Sequence, residues 1–183
     1  MNALWKAPTG DAAPRLTPHL SLMTTADLEA VMAVETHAYA FPWTRGNFID
    51  SLAAGYFARL LRLGDAPALV GYVVAMEGAA EMHLLNITVD APYRRHGHAR
   101  FMIERLVERC RLVAAERLWL EVRESNAAAR QAYARLGFAE RGLRPGYYPA
   151  AHGQRESAVV MSLTIAPPGL ESGRAAEVGD ALD

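Results

Sequence analysis

The sequence predicts a mixed α/β (α+β) domain, a central and mostly antiparallel sheet of about six or seven strands flanked by helices. Three observations predict it. Strand-like segments joined by short turn signals fill the first half of the chain after two helical patterns. A β-branched strand at Ile87–Val89 is followed by a long amphipathic helix and then another strand, which reads as a βαβ unit. The chain then returns to β-rich sequence. Its 183 residues, 51% hydrophobic and 21% charged, fit one ordinary globular unit.

Leu20–Met23 reads as a first short strand. Thr24 or Thr25 then caps a helix that carries Asp27 and Glu29 in its first turn, where negative charge is favoured. Leu28, Val31, Met32 and Glu35 recur at helical spacing, and the helix ends near Ala40. Pro42 breaks the pattern and Thr44 caps a second helix over about 45–54. Tyr56–Arg62 and Ala68–Met76 form a strand pair around the turn signal Gly64-Asp65-Ala66-Pro67. Ala79–Val89 is the next strand. Simple alternation would put His83, Leu85, Ile87 and Val89 on one face and Leu84, Asn86 and Thr88 on the other. The long helix runs from about Gly97 to Ala115 and buries Ala99, Met102, Ile103, Leu106, Cys110 and Val113. Leu118–Arg123 is a strand. Ser125-Asn126 then caps a short helix over 127–136, which Gly137 closes. Phe138–Arg144 and Ser157–Thr164 are the last strands, with an aromatic loop at Pro145–Gln154 between them. The expected division is a flexible extension at 1–18, one folded domain at 19–165 and a disordered tail at 166–183.

Composition excludes several classes of function. A net charge of −1 gives no support for general nucleic-acid binding. One cysteine, Cys110, leaves no internal disulfide framework and no multi-cysteine zinc site. No apolar run approaches the ~18 residues of a membrane span, and the first twenty residues lack a signal-peptide core. The expectation is a soluble cytoplasmic protein.

Five places could carry chemistry. Arg94, Arg95, His96, Gly97, His98, Ala99 and Arg100 lie at the mouth of the long helix, where unpaired N–H groups and the helix dipole suit a phosphate. The same stretch could simply be solvated. It is neither G-x-G-x-x-G nor a nucleotide P-loop. Glu121 interrupts an apolar strand, so it either pairs with Arg123 or lines a cleft. Tyr133 lies one turn before Gly137, as packing or as a site residue. Phe41 and Trp43 either staple two helices or wall a substrate cleft, and Tyr147 and Tyr148 sit in the second aromatic loop. His96 and His98 lack partners for a metal, and no G-x-S-x-G elbow marks a serine hydrolase.

Read together, Arg94-Arg95-His96-Gly97-His98-Ala99 is similar to the Gln/Arg-x-x-Gly-x-Gly/Ala motif of the GNAT superfamily of acetyl-CoA-dependent N-acetyltransferases. The resemblance spans Leu20–Leu163. It is narrowest for the bacterial ribosomal-protein-alanine N-acetyltransferases, on AFPWT (40–44), LNITVDAPYRRHGHAR (85–100), LWLEVRESNAAARQAYARLGF (118–138) and GYYP (146–149). It implies the GNAT acyltransferase fold and acetyl-CoA as donor, without a metal. The backbone of Ile87, Thr88 and Val89 would hold the pantetheine arm, and the loop Arg95–Arg100 the pyrophosphate. Asn126 would touch the cofactor beside the splayed strands. Glu121 would be general base and Tyr133 general acid. The implied acceptor is the N-terminal alanine of a small-subunit ribosomal protein, attacked directly through a tetrahedral intermediate. Two other readings stay open: a GNAT enzyme acting on other N-termini or on lysines, and a non-catalytic acetyl-CoA-binding module. The chemistry agrees with an α-amine acceptor. Its pKa of about 7.7–8.0 leaves roughly a tenth of it neutral near pH 7, whereas lysine titrates near about 10.4.

Overall fold

The computed structural model describes residues 17–64 and 68–166. The expected extension and tail therefore lie, except for their inner ends, outside the described residues, as does most of the turn at 64–67. Strand β1 (Pro18–Leu22) leads into helix α1 (Leu28–Ala38) through a single 3-10 turn. Asp27 anchors that turn by accepting from the Thr24 backbone N–H at 2.9 Å. Helix α2 (Arg45–Ala53) starts on the expected Thr44 cap. The Asn47 N–H donates to the Thr44 hydroxyl, and the Asn47 side chain accepts from the Thr44 N–H.

Among the described residues seven strands make one sheet. After β1 come β2 (Phe57–Leu63), β3 (Gly71–Glu77), β4 (Glu81–Val89), β5 (Arg117–Arg123), β6 (Ala139–Pro149) and β7 (Arg155–Thr164). Helix α3 (His98–Leu112) joins β4 to β5, and α4 (Ala127–Arg135) joins β5 to β6. The spatial order is β1-β2-β3-β4-β5-β7-β6. The β4–β5 pair is parallel, and the other adjacent pairs are antiparallel. The mixed sheet read from the sequence is thus present, with the crossover helix between the two parallel strands, as a parallel connection requires.

Each face of the sheet carries its own core. Leu28, Val31 and Val34 of α1 and Phe48 of α2 pack on Leu60, Tyr72 and Val74. Met102, Ile103, Leu106 and Cys110 of α3 pack on Leu61, Val73, Ala75, Met82 and Leu84. Gly71–Ala75 is buried throughout, as a strand covered on both faces must be. Two sequence expectations are corrected on α3. Ala99 is exposed, because it lies in the first turn beyond the sheet, and Val113 is only partly buried past the helix end.

The largest correction is in β4. Val74 faces Asn86 while the next residue, Ala75, faces Leu84, so Leu85 is an extra residue in the ladder. This bulge exchanges the faces of the strand. Leu84 packs in the α3 core, but so do Ile87 and Val89, while Asn86 and Thr88 bond to side chains of the α1 side. Simple alternation had grouped Leu84 with Asn86 and Thr88. The parallel ladder to β5 also stops at Leu84↔Leu120. Past the bulge the two strands separate, each with part of its backbone edge unpaired to the other.

Beside this point β3 and β4 approach closely. A methyl group on Gly71 would sit 2.4 Å from the Thr88 carbonyl oxygen and 3.2 Å from Val89 Cα. Both are backbone atoms, which cannot turn aside. Gly71→Ala is therefore expected to cost about 1–3 kcal/mol of stability, as overpacking does, read from urea denaturation.

Beyond the predicted end at Arg144, β6 resumes pairing with β7 at Tyr148↔Glu156 and Pro149↔Arg155 after an irregular stretch. The loop expected at 145–154 thus shrinks to a turn after Pro149, and Tyr148 is held on a strand.

Candidate active site

The separation of β4 and β5 opens a cleft of about 660 Å³. Its floor is the ends of the two strands, Leu84–Ile87 and Leu120–Arg123. Glu35, Tyr39, Phe41 and Trp43 wall the α1–α2 side, and Asn126, Tyr133 and Tyr148 wall the other. The structure therefore gathers Ile87, Glu121, Asn126, Tyr133, Phe41, Trp43 and Tyr148 around one space. Tyr147 is not among its walls. It is exposed, edge-on to Tyr148 at 5.0 Å, with the Arg144 guanidinium 5.5 Å from its ring centre.

Glu121 is half-buried and does not pair with Arg123. Its Oε1 lies 3.3 Å from Nη1 of Arg144 on β6. Arg123 instead bonds Glu156 at 3.1 Å and the Pro149 carbonyl at 3.0 Å. Its guanidinium lies 4.6 Å from the ring centre of Tyr148 and 5.5 Å from that of Phe41. One cation thus bridges the two aromatic segments at the mouth. The Tyr148 hydroxyl donates to the Glu121 carbonyl at 3.0 Å, which ties β6 to the strand that carries Glu121. Burial, with Tyr147 and Glu121 nearby, pushes the Tyr148 phenol up to about 12, so it stays a donor.

Tyr133 comes from α4, whose first turn is fixed by the Asn126 side chain accepting the Ala129 N–H at 3.1 Å. Asn126 is thus the cap of α4 as well as a wall of the cleft. The Tyr133 ring packs tilted on Phe138, 5.6 Å between centres. Burial above all, then the neighbouring Tyr39 and Tyr148, raises the Tyr133 phenol above the ordinary tyrosine range. Trp43 lies between the two helices and the cleft. Its ring packs on Phe48 at 5.3 Å in the α1–α2 core, and it also borders the cleft.

Asp90 donates its N–H to the Val70 carbonyl, so by strand alternation Thr88 also turns its backbone to β3, while Ile87 and Val89 turn theirs to the gap. The Ile87 carbonyl accepts the Tyr39 hydroxyl at 3.2 Å, and the Val89 carbonyl accepts Arg94 Nε at 3.0 Å. Arg94 therefore folds back on its own strand. The backbone of Thr88, expected beside Ile87 and Val89, faces away from the gap, and its side chain bonds Tyr39 and Asn86.

The helix mouth follows. Arg95 has φ +69° and Gly97 φ +83°, and the space that a Gly97 side chain would fill is open. The first intrahelical bond runs from the Phe101 N–H to the Gly97 carbonyl. The N–H groups of His98, Ala99 and Arg100 therefore point out of the helix end. Arg100 pairs with Glu104 at 2.7 Å. His98 is lowered by burial and by His96, which favours its neutral form, so positive potential here comes from amides and arginines. An unpaired strand edge leading to such a mouth suits a ligand with an extended amide-bearing arm and a diphosphate. Among the described residues no group of three or more His, Cys, Asp or Glu could hold a metal. Cys110 is buried 3.6 Å from Met82 Sδ, its thiol pushed up to about 11 by burial, and is a core residue rather than a nucleophile.

Sequence reasoning missed the polar residues behind the α1–α2 wall. Glu35, 1% exposed, accepts the Trp43 backbone N–H at 2.7 Å, Asn86 Nδ2 at 3.4 Å and the Tyr72 hydroxyl. Tyr39 bridges Ile87 and Thr88. A carboxylate within an apolar helical stripe was the available signal for Glu35.

A sheet splayed at one parallel pair, with a left-handed glycine opening the following helix, defines a class of site for an extended ligand that ends in a diphosphate. The chain belongs to the GNAT acetyltransferases: residues 28–138 match the Acetyltransferase (GNAT) family. It is 37% identical over 146 residues to the [ribosomal protein bS18]-alanine N-acetyltransferase of Salmonella typhimurium, covering 80% of this chain and 97% of that one. The enzyme of the same name from Escherichia coli is 36% identical with the same coverage. The crystal structure of the ribosomal-protein-S18-alanine N-acetyltransferase from Escherichia coli superposes with a TM-score of 0.75 at 35% identity, covering 85% of this chain and 98% of that one.

Proposed function

We propose that this protein transfers the acetyl group of acetyl-CoA to the α-amino group of an N-terminal alanine, with a bS18-type small-subunit ribosomal protein as acceptor. The observation that carries this reading is the 36–37% identity, across 97% of their length, to enzymes of that name.

In this reading acetyl-CoA is a substrate consumed in each turnover. The edges of Ile87 and Val89 hold its amide-bearing arm, Asn126 borders it, and the amides and arginines of Arg95–Arg100 hold its diphosphate. The acceptor enters past Phe41, Trp43 and Tyr148. Its amine nitrogen attacks the thioester carbonyl carbon, and a backbone N–H at the β4 edge stabilises the oxyanion of the tetrahedral intermediate. Glu121 takes the proton that the amine gives up. The C–S bond breaks, and the Tyr133 phenol protonates the departing thiolate. Burial favours this protonated phenol. No acetyl-enzyme forms.

The test incubates the full chain with acetyl-CoA and a peptide carrying the N-terminus of bS18, followed by mass spectrometry with fragment mapping. Acetyl on the α-amine of alanine is expected. Acetyl chiefly on lysine side chains, or none despite acetyl-CoA binding, would overturn the reading.

A further inference from the structure

Glu35 is the one cleft residue whose charge is both deeply buried and unmatched by a cation. Glu121, on the β5 side, is paired with Arg144, and Glu156 at the rim with Arg123. Glu35, on α1, is 1% exposed, and its partners are all neutral: a tyrosine hydroxyl, a backbone N–H and an asparagine amide. Among the described residues it forms no ion pair. Burying a carboxylate without a counter-charge is costly, and neutral donors offset only part of that cost. A carboxylate also offers about four acceptor sites, and three are filled here. The group is therefore under-compensated in charge and has room for one more donor, and it lines the space the acceptor must enter.

Its partners determine where its influence falls. Asn86 immediately precedes Ile87, whose edge faces the gap, and Trp43 forms the acceptor-side wall. Glu35 thus stands where these two parts of the cleft meet. A cation arriving there would complete both the charge balance and the hydrogen bonding.

We propose that Glu35 is an acceptor-positioning residue. Its carboxylate draws the incoming α-ammonium group into the cleft from the α1 side and favours the free amine over the acetylated product. The inference rests on the acetyl-transfer reading above, with Glu121 keeping the proton-accepting part. Glu35→Gln is nearly the same shape. Its amide oxygen can still accept from Trp43, and its NH2 can donate to the Tyr72 oxygen, so the wall is retained while the charge is lost. Glu35→Asp retains the charge.

The test compares wild type, Glu35→Gln and Glu35→Asp in two measurements. In steady state with an alanine-starting peptide, Glu35→Gln is expected to raise the peptide KM about 10- to 100-fold, the loss of one charge-assisted contact. Its kcat and acetyl-CoA affinity should stay within about threefold of wild type, and Glu35→Asp should restore most of the KM. In calorimetry on CoA-loaded protein, wild type and Glu35→Asp should bind the free-amine peptide more tightly than its Nα-acetylated copy, and Glu35→Gln should lose that preference. An unchanged KM and an unchanged preference in folded Glu35→Gln would overturn the inference. So would Glu35→Asp, folded by circular dichroism, behaving like Glu35→Gln, since shape rather than charge would then be what matters. If Glu35→Gln does not fold, the calorimetric preference of Glu35→Asp decides. If wild type binds with the amine preference but transfers no acetyl to alanine, the catalytic reading fails while the Glu35 inference stands.

Discussion

Glu121→Gln is expected to lower kcat for an alanine-starting peptide by about 10²- to 10⁴-fold at pH 7, the usual contribution of a positioned general base. The substitution keeps the shape and keeps the fold around it. The Tyr148 hydroxyl bonds the backbone carbonyl of residue 121 rather than its side chain, and that strand stays paired with β7. Arg144 loses its partner, but it is half-exposed and water can take over. Acetyl-CoA affinity should therefore hardly change. The pH dependence has a definite sign. The base takes a proton from the attacking nitrogen at every pH, but below about 7.7–8.0 it must also strip the α-ammonium, and that added demand falls away as the amine loses its proton. The deficit should shrink as pH rises through that range. A variant as active as wild type at pH 7, or a deficit that grows toward pH 9, would remove Glu121 from the role of base.

Tyr133→Phe should cost about 10²-fold or more in kcat with the peptide KM nearly unchanged. The replacement ring still packs on Phe138, so the loss belongs to the hydroxyl. Its pH behaviour should differ from that of Glu121→Gln. The phenol is raised above its ordinary value of about 10, mainly by burial, so it still holds its proton where a free tyrosine begins to lose it. Wild type should show no fall in rate from this group up to about pH 10, and the deficit of the variant should be flat from pH 7 to 9. Wild-type turnover by Tyr133→Phe in a stopped assay of free thiol would assign the proton to another donor.

Much of this architecture was legible because it is local. Thr44 and Asn126 cap the helices they were expected to cap, since a cap is decided within four residues. The α3 stripe at Met102, Ile103, Leu106 and Cys110 follows from helical period alone. The start of α3 beside Gly97 was readable for the same reason, whereas the left-handed turn at Gly97 was not. What escaped is long-range. Glu121 finds Arg144 rather than Arg123 because β7 lies between β5 and β6 and only the irregular stretch of β6 carries Tyr148 back to β5. Glu35 could be seen as an acidic residue on an apolar stripe, but its partners lie 8, 37 and 51 residues away. The sequence around Leu85 contains no glycine or proline to mark a break, so the bulge shows only in its pairing with β3.

That bulge makes β4 a strand read in two frames. Up to Leu84 one parity of residue number points to α3, and from Asn86 onward the other parity does. The identity of the side chain at 85 then matters less than its presence. Substituting Leu85 leaves both frames intact. Deleting it would leave Leu84, Ile87 and Val89 toward α3 and Asn86 and Thr88 toward α1, but it would remove the bulge, so that β4 runs on straight through the point where it now parts from β5. The position should therefore tolerate exchange and resist removal, an asymmetry that a scan of single-residue deletions beside a scan of substitutions would expose directly. The cleft would then depend on the number of residues in β4 as much as on their kinds.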